Sequence, residues 1–135
     1  MKNSRFAVAI HILALASFQP GSTSDFIAGS VNTNPVVIRR ISSLLKKAGL
    51  LTSKAGVPGI IVTKDPSTIT LLDIYKAVQG NVETTFAMHD NPNPNCAVGK
   101  NIQATLEKKF RRAQLAMENE LASQTLDDII HDLFH

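Results

Sequence analysis

Residues 34–63, NPVVIRRISSLLKKAGLLTSKAGVPGIIVT, constrain the fold of this chain more than any other stretch. Asn34 is a good helix cap and Pro35 sits where the first helical turn tolerates it. From Pro35 to Ala48 the apolar residues Val37, Ile41, Leu44, Leu45 and Ala48 recur at i, i+4, i+7, i+8 and i+11, one face of a helix. Arg39, Arg40, Ser43, Lys46 and Lys47 fall on the rest of its surface. Gly49 is the expected stop. Leu50–Ser53 and Gly59–Thr63 then read as two short strands, and residues 54–58 (KAGVP) form a turn with one charge and two constrained backbone points. A basic helix running into a hairpin is the layout of a winged helix-turn-helix, with duplex DNA the first partner to consider.

The flanking sequence supplies the remaining parts. Asn3 to Phe18 is apolar nearly all round and predicts a buried first helix, ended by Gln19-Pro20-Gly21. Phe6, Ile10, Leu13, Ala14 and Ser17 fall on one side of it. The two early basic residues and Ala14-Leu15-Ala16 mimic a secretory signal. His11 interrupts that run and the domain needs a first helix, so the signal reading is rejected; the run is also too short to span a bilayer. Ser22, Thr23 and Ser24 offer caps for a second helix, about Asp25 to Val31, with Asp25 at its positive end. Asn32-Thr33-Asn34 is the turn between helices. Asp65-Pro66-Ser67 breaks the second strand. Thr70 caps a helix from Leu71 to about Gln79, and Gly80 stops it.

The second half has a different character. Residues 1–70 carry eight basic and two acidic side chains; residues 71–135 carry six and nine. That split joins a polyanion-binding module to a part with another job. From about Val98 to Ser123 runs a long helix with the stripe Ile102, Leu106, Phe110, Ala113, Met117 and Leu121. A stripe that long needs more partner surface than so small a domain offers, and a second copy supplies it. Thr125 caps a terminal helix with Leu126, Ile129, Ile130, Leu133 and Phe134 on one side. The expected organisation is a winged helix-turn-helix over 1–80, a connecting loop over 81–97, and dimerisation helices over 98–135. The fold class is mainly α with a small β-hairpin.

Chemistry-bearing residues are few. No Ser/His/Asp arrangement, carboxylate pair or phosphate-cradling glycine loop stands out, so an enzyme is not expected. With no tryptophan and one tyrosine, stacking of single-stranded bases has little to rest on. A helix in the major groove offers residues near its N-terminus to base edges. Asn34, Val36, Arg39 and Arg40 are placed for that, while Asn32, Thr33, Ser43, Lys47 and Lys54 would touch the backbone. Cys96, the single cysteine, rules out an internal disulfide and fits a reducing cytoplasm. It also rules out a zinc finger or a cluster site built from one chain's cysteines. Just before a helix, its thiolate is favoured, which makes it a possible sensor beside the plainer reading of an inert loop thiol. His89 could join it in a site shared across a dimer, although a lone His and Cys in a loop more often do nothing; no metal is expected. His11 reads as a hydrogen-bonded core histidine, and His131 and His135 as surface residues.

At SRFAVAIHILALAS, VNTNPVVIRRISSLLKKAGLLTSKAGVPGIIV and DPSTITLLDIYKAVQG the chain resembles the Rrf-two family of bacterial winged-helix regulators, which includes the IscR, NsrR and CymR types. HDNPNPNCAVGKNIQATL and AMENELASQTL look most like the YwnA-type members, so the resemblance covers essentially the whole chain. It implies a homodimer joined through the long helix, two winged domains on a palindromic operator, a recognition helix over Pro35 to Lys47 and a wing over Ser53 to Gly59. Cluster-binding members carry three cysteines around residues 90–105; here only Cys96 matches, so no iron–sulfur cofactor is implied. The family wing often reads Gly-Gly-Tyr, whereas this one reads Pro58-Gly59-Ile60 and lacks the tyrosine. The reading is a cytoplasmic, dimeric, sequence-specific transcriptional regulator that represses and responds to a redox or small-molecule signal. The alternative is a winged-helix protein-interaction module that never touches DNA.

Overall fold

The computed structural model describes residues 4–53, 55–56, 58–79, 88 and 92–135. Among them run α1 (Arg5–Phe18), α2 (Ser24–Val31), α3 (Pro35–Lys47), β1 (Leu51–Thr52), β2 (Ile61–Val62), a 3-10 turn (Pro66–Thr68), α4 (Leu71–Gln79), α5 (Ala97–Ala122) and α6 (Leu126–Phe134). No helix among the described residues is long and apolar enough to cross a membrane.

Helix α1 is the hub, touching α2, α3, α4, α6 and β2. Ala9, Ile12, Leu13, Ala14 and Ala16 are its buried residues, while Phe6, Ile10 and Ser17 of the expected face are half-buried. Small residues at 9, 14 and 16 let neighbouring helices approach closely, which explains the turn of the buried side toward them. His11 is half-buried and its Nε2 lies 2.9 Å from Ser30 Oγ, the partner expected of it.

The buried side of α3 differs from the expected one. Ile38, Ile41, Ser42 and Leu45 are buried, Val37 and Leu44 half-buried, and Ala48 is an exposed C-cap. Ile38, Ile41 and Leu45 also make a legal i, i+3, i+7 stripe. The helix turns that stripe inward because α1, α2 and α4 converge on it, and Ser42 is small enough to lie beneath them.

The hairpin is shorter than its apolar pattern. Leu51 pairs with Val62 and Thr52 with Ile61, and the flanking residues bond elsewhere. Ile60 makes an antiparallel bridge with Ser22, through Gly21 N–H to Ile60 O at 3.0 Å and Ile60 N–H to Ser22 O at 3.1 Å. Gly59 (φ 92°) lies so close to the Gly21 backbone that any side chain there would collide with it. The base of the wing is thereby anchored to the segment between α1 and α2.

The C-terminal segment returns to the same core. Thr70 and Thr125 form an isolated bridge, with Leu71 N–H to Gln124 O at 2.9 Å and Leu126 N–H to Ile69 O at 2.8 Å. Each threonine caps the helix that follows it. Asp73 and Thr70 exchange backbone-to-side-chain bonds of 3.0 Å, and Asp128 and Thr125 do so at 2.9 and 3.1 Å. Such boxes satisfy amides that a helix start leaves unpaired. Ile69 and Leu126 are fully buried beneath them. Helix α5 is the opposite case: 26 residues, none buried.

Candidate nucleic-acid interface

The interface is assembled from α2, the turn after it, α3 and the hairpin. Thr23 Oγ1 accepts from Phe26 N–H at 3.2 Å and starts α2. Asn32 ends it in the left-handed region (φ 64°, ψ 52°), with its N–H bonded to Ala28 O. Outside glycine, asparagine is among the residues that best tolerate that conformation. Thr33 N–H also reaches Ala28 O, at 3.0 Å. Asn34 Oδ1 then accepts from Val36 N–H at 2.8 Å, opening α3 on Pro35. Two caps bracket a turn of three residues, which fixes the angle at which α3 leaves α2.

With Ile38, Ile41, Ser42 and Leu45 inward, α3 presents Val36, Arg39, Arg40, Ser43, Lys46 and Lys47 outward, all exposed. Val36 is 49% exposed, an uncovered branched apolar side chain in the first turn. No acid stands in that turn, so the positive end of the helix dipole is uncompensated. Asn32 and Asn34 are exposed and Thr33 is half-buried. Because Asn34 spends its oxygen on the cap, its outward contribution is the Nδ2 donor. Lys46 Nζ donates to Ser53 Oγ at 3.3 Å, linking the helix to the wing base. The sequence pattern gave no sign of that link, since it depends on how the strand folds back. Lys54 lies outside the described residues; beside it, Ala55 and Gly56 are exposed, with Gly56 at φ 78°.

Cys96 is exposed and is the N-cap residue of α5. Its thiol closes no side-chain cap bond. The backbone amides of Gly99 and then Val98 nonetheless favour the thiolate and hold the thiol below its ordinary pKa. Gly99 is required where it stands, because a side chain would collide with Asn93 O. Asn93 Oδ1 accepts from Asn95 N–H at 3.0 Å and shapes the loop before the cap. His89 lies outside the described residues. His131 and His135 are exposed and stack on each other, ring centres 4.3 Å apart.

Comparison with known proteins places this geometry. A family model described as Rrf2, an iron-dependent transcriptional regulator, matches residues 2–132. YwnA of Bacillus subtilis (strain 168), named as an HTH-type transcriptional regulator, is 59% identical over 134 residues, covering 99% of this chain and all of its own length. A crystal structure described as a DNA-binding protein is 54% identical, with a TM-score of 0.79 over 94% of this chain and 99% of its own. Another, described as a transcriptional regulator from Lactobacillus plantarum, is 28% identical, with a TM-score of 0.76 over 98% and 91% of the two chains.

The family's association with iron calls for donors that this chain would have to supply. Iron–sulfur clusters are held by three or four soft ligands, chiefly cysteine thiolates. The sequence holds one cysteine, and no group of three or more His, Cys, Asp or Glu side chains is placed to hold a metal among the described residues. One cysteine per chain does not fit an iron–sulfur cluster, and the donors among the described residues do not fit an iron centre. The match of sequence and architecture over nearly the whole chain is nevertheless decisive: the chain belongs to the Rrf2 family of transcriptional regulators.

Proposed function

We propose that this regulator acts in the cytoplasm as a dimeric repressor on a palindromic operator, with α3 in the major groove. The observation that supports it best is the outward face of α3, where Val36, Arg39, Arg40 and Ser43 stand exposed just past a doubly capped turn. Arginine forks match guanine edges and Val36 suits a thymine methyl. Asn34 Nδ2 is within the same turn. Asn32, Thr33, Ser43 and Lys47 are assigned to phosphates, with Lys54 on the wing. In this division 1–80 carries DNA binding, 81–97 connects, and 98–135 dimerises. Helix α6 nevertheless shares the winged domain's core through Leu126, so the division is one of task.

The dimer reading rests on α5, whose stripe finds no full cover within the chain. Ile102, Leu106, Phe110, Met117 and Leu121 are half-buried and Ala113 is exposed. Leu121 packs on the chain's own core, and Ile102, Leu106 and Ala113 are the stripe positions assigned to a second copy. Operator affinity should fall linearly with log salt concentration, and Lys47→Ala should reduce that slope by about one while weakening all duplexes alike. A slope unchanged by Lys47→Ala would remove that phosphate contact. No duplex binding even at low salt would favour a protein-interaction module instead.

A second reading is favoured by one observation, the exposed thiol of Cys96 at the start of α5, where the backbone amides of Gly99 and Val98 favour its thiolate. Reaction at this thiol would alter operator affinity through α5. Its alkylation should titrate below the range of an ordinary thiol, and hydrogen peroxide should change operator affinity in the wild type and leave Cys96→Ser unaffected. Equal responses from the two proteins would remove Cys96 as a sensor.

A further inference from the structure

We propose that His131 and His135, at the end of α6, form a two-imidazole site for a divalent transition-metal ion such as zinc. The two residues stand four apart and are therefore neighbours on one face of the helix. Their rings lie face to face, with centres 4.3 Å apart and planes 17° apart. Both side chains are exposed. Among the described residues neither ring makes a hydrogen bond, so its nitrogens are open to a ligand from solvent.

The spacing carries the chemistry. A zinc ion holds imidazole nitrogens at about 2.0–2.1 Å, which sets two of them roughly 3 Å apart in a tetrahedral shell. Stacked rings on successive turns reach that separation by rotation of the exposed side chains, with no change of backbone. Histidines at i and i+4 are the pair through which a helix can present two nitrogens to one metal. No group of three or more His, Cys, Asp or Glu side chains is placed for a metal among the described residues. Two nitrogens and water therefore complete the shell, and the ion is exchangeable.

Two features prepare the site. The last turn of a helix ordinarily frays. Here Phe134 stacks on Phe18 of α1, ring centres 4.9 Å apart, and holds that turn against the fold. The local field also favours a cation. Asp127, Asp128 and Asp132 share the helix, and residues 113–135 carry no lysine or arginine. The C-terminal end of the helix dipole is negative as well. Carboxylates alone would suit magnesium or calcium, which prefer oxygen; imidazoles select zinc, copper and nickel.

The test uses the full chain in a Cys96→Ser background, which removes the thiolate as a competing ligand. Calorimetric titration with zinc chloride should show binding of one ion per chain, and magnesium chloride should neither bind nor displace it. Because both side chains are exposed, His131→Gln and His135→Gln should fold normally. Each should weaken zinc binding about tenfold or more, since a lone imidazole cannot chelate. Asp127→His added to His135→Gln rebuilds a pair four residues apart with His131 and should recover most of the loss. Zinc should also raise the Tm of the Cys96→Ser protein and leave that of the variant lacking both histidines unchanged. Zinc binding that survives loss of both histidines, or that appears only when Cys96 is present, would overturn the site. So would no zinc binding at all, or magnesium binding as tightly as zinc, which would assign the ion to the carboxylates.

Discussion

Asn32 fixes the backbone of the turn that leads into the candidate recognition helix. Its left-handed backbone (φ 64°) closes α2 and aims the turn that starts α3. A β-carbon in that conformation raises the energy by about 1–2 kcal/mol for residues without asparagine's local hydrogen bonding. Asn32→Ala should therefore destabilise the fold by about 1 kcal/mol in chemical denaturation, while Asn32→Gly should hold or slightly raise stability. If the amide touches phosphate, Asn32→Gly should still weaken duplex binding; unchanged binding would make the residue a cap alone. Asn34 shows the same economy, since its oxygen caps α3 and only its Nδ2 remains to face outward. Gly59 and Gly21 record a contact that a sequence does not display, two backbones in close approach across 38 residues.

At the scale of elements, local chemistry was legible and pairing in space was not. Thr23, Asn34, Thr70 and Thr125 each cap the helix that follows, as their types and positions indicated. The ends of α2, α3 and α4 fall within a residue or so of the expected ones. On α3 the expected Ile41 and Leu45 are buried and Val37 and Leu44 pack against the core, whereas Ile38 and Ser42 are buried in addition and Ala48 is exposed, because only the converging helices decide which flank of the apolar stripe turns inward. That choice is testable. Ile38→Ala should destabilise by about 2–5 kcal/mol, as for a large residue in a packed core, and Val36→Ala should leave stability nearly unchanged. Comparable losses at both positions would mean that Val36 is held by the fold rather than offered to a ligand. The strands were overpredicted for a related reason. Ile60 has strand chemistry, yet its backbone pairs with Ser22 from another part of the chain, and Thr63 Oγ1 bonds Gly49 O.

For the molecule as a whole, the uneven charge of the sequence becomes a division of surface. Basic side chains crowd the outward face of α3, while the acidic ones gather toward the end of α5 and on α6. The bridge of Thr70 with Thr125 ties the start of α4 to the start of α6. The candidate DNA face was readable because its signal is local: a cap, a basic helix and a hairpin in order. The wing anchor and the Lys46–Ser53 link were not, since each joins residues that only the fold brings together.

If α3 reads base edges in a DNA duplex, the protein must tell one sequence from another through Arg39 or Arg40. The most direct measurement compares dissociation constants for a duplex selected from a random pool and for its scrambled counterpart, in the wild type, Arg39→Ala and Arg40→Ala at one salt concentration. The expected result is a wild type that strongly prefers the selected duplex. At least one arginine variant should then lose about 1–3 kcal/mol of that preference, roughly 5- to 150-fold in the ratio. A wild type that binds both duplexes equally, or variants that both retain the wild-type ratio, would contradict it.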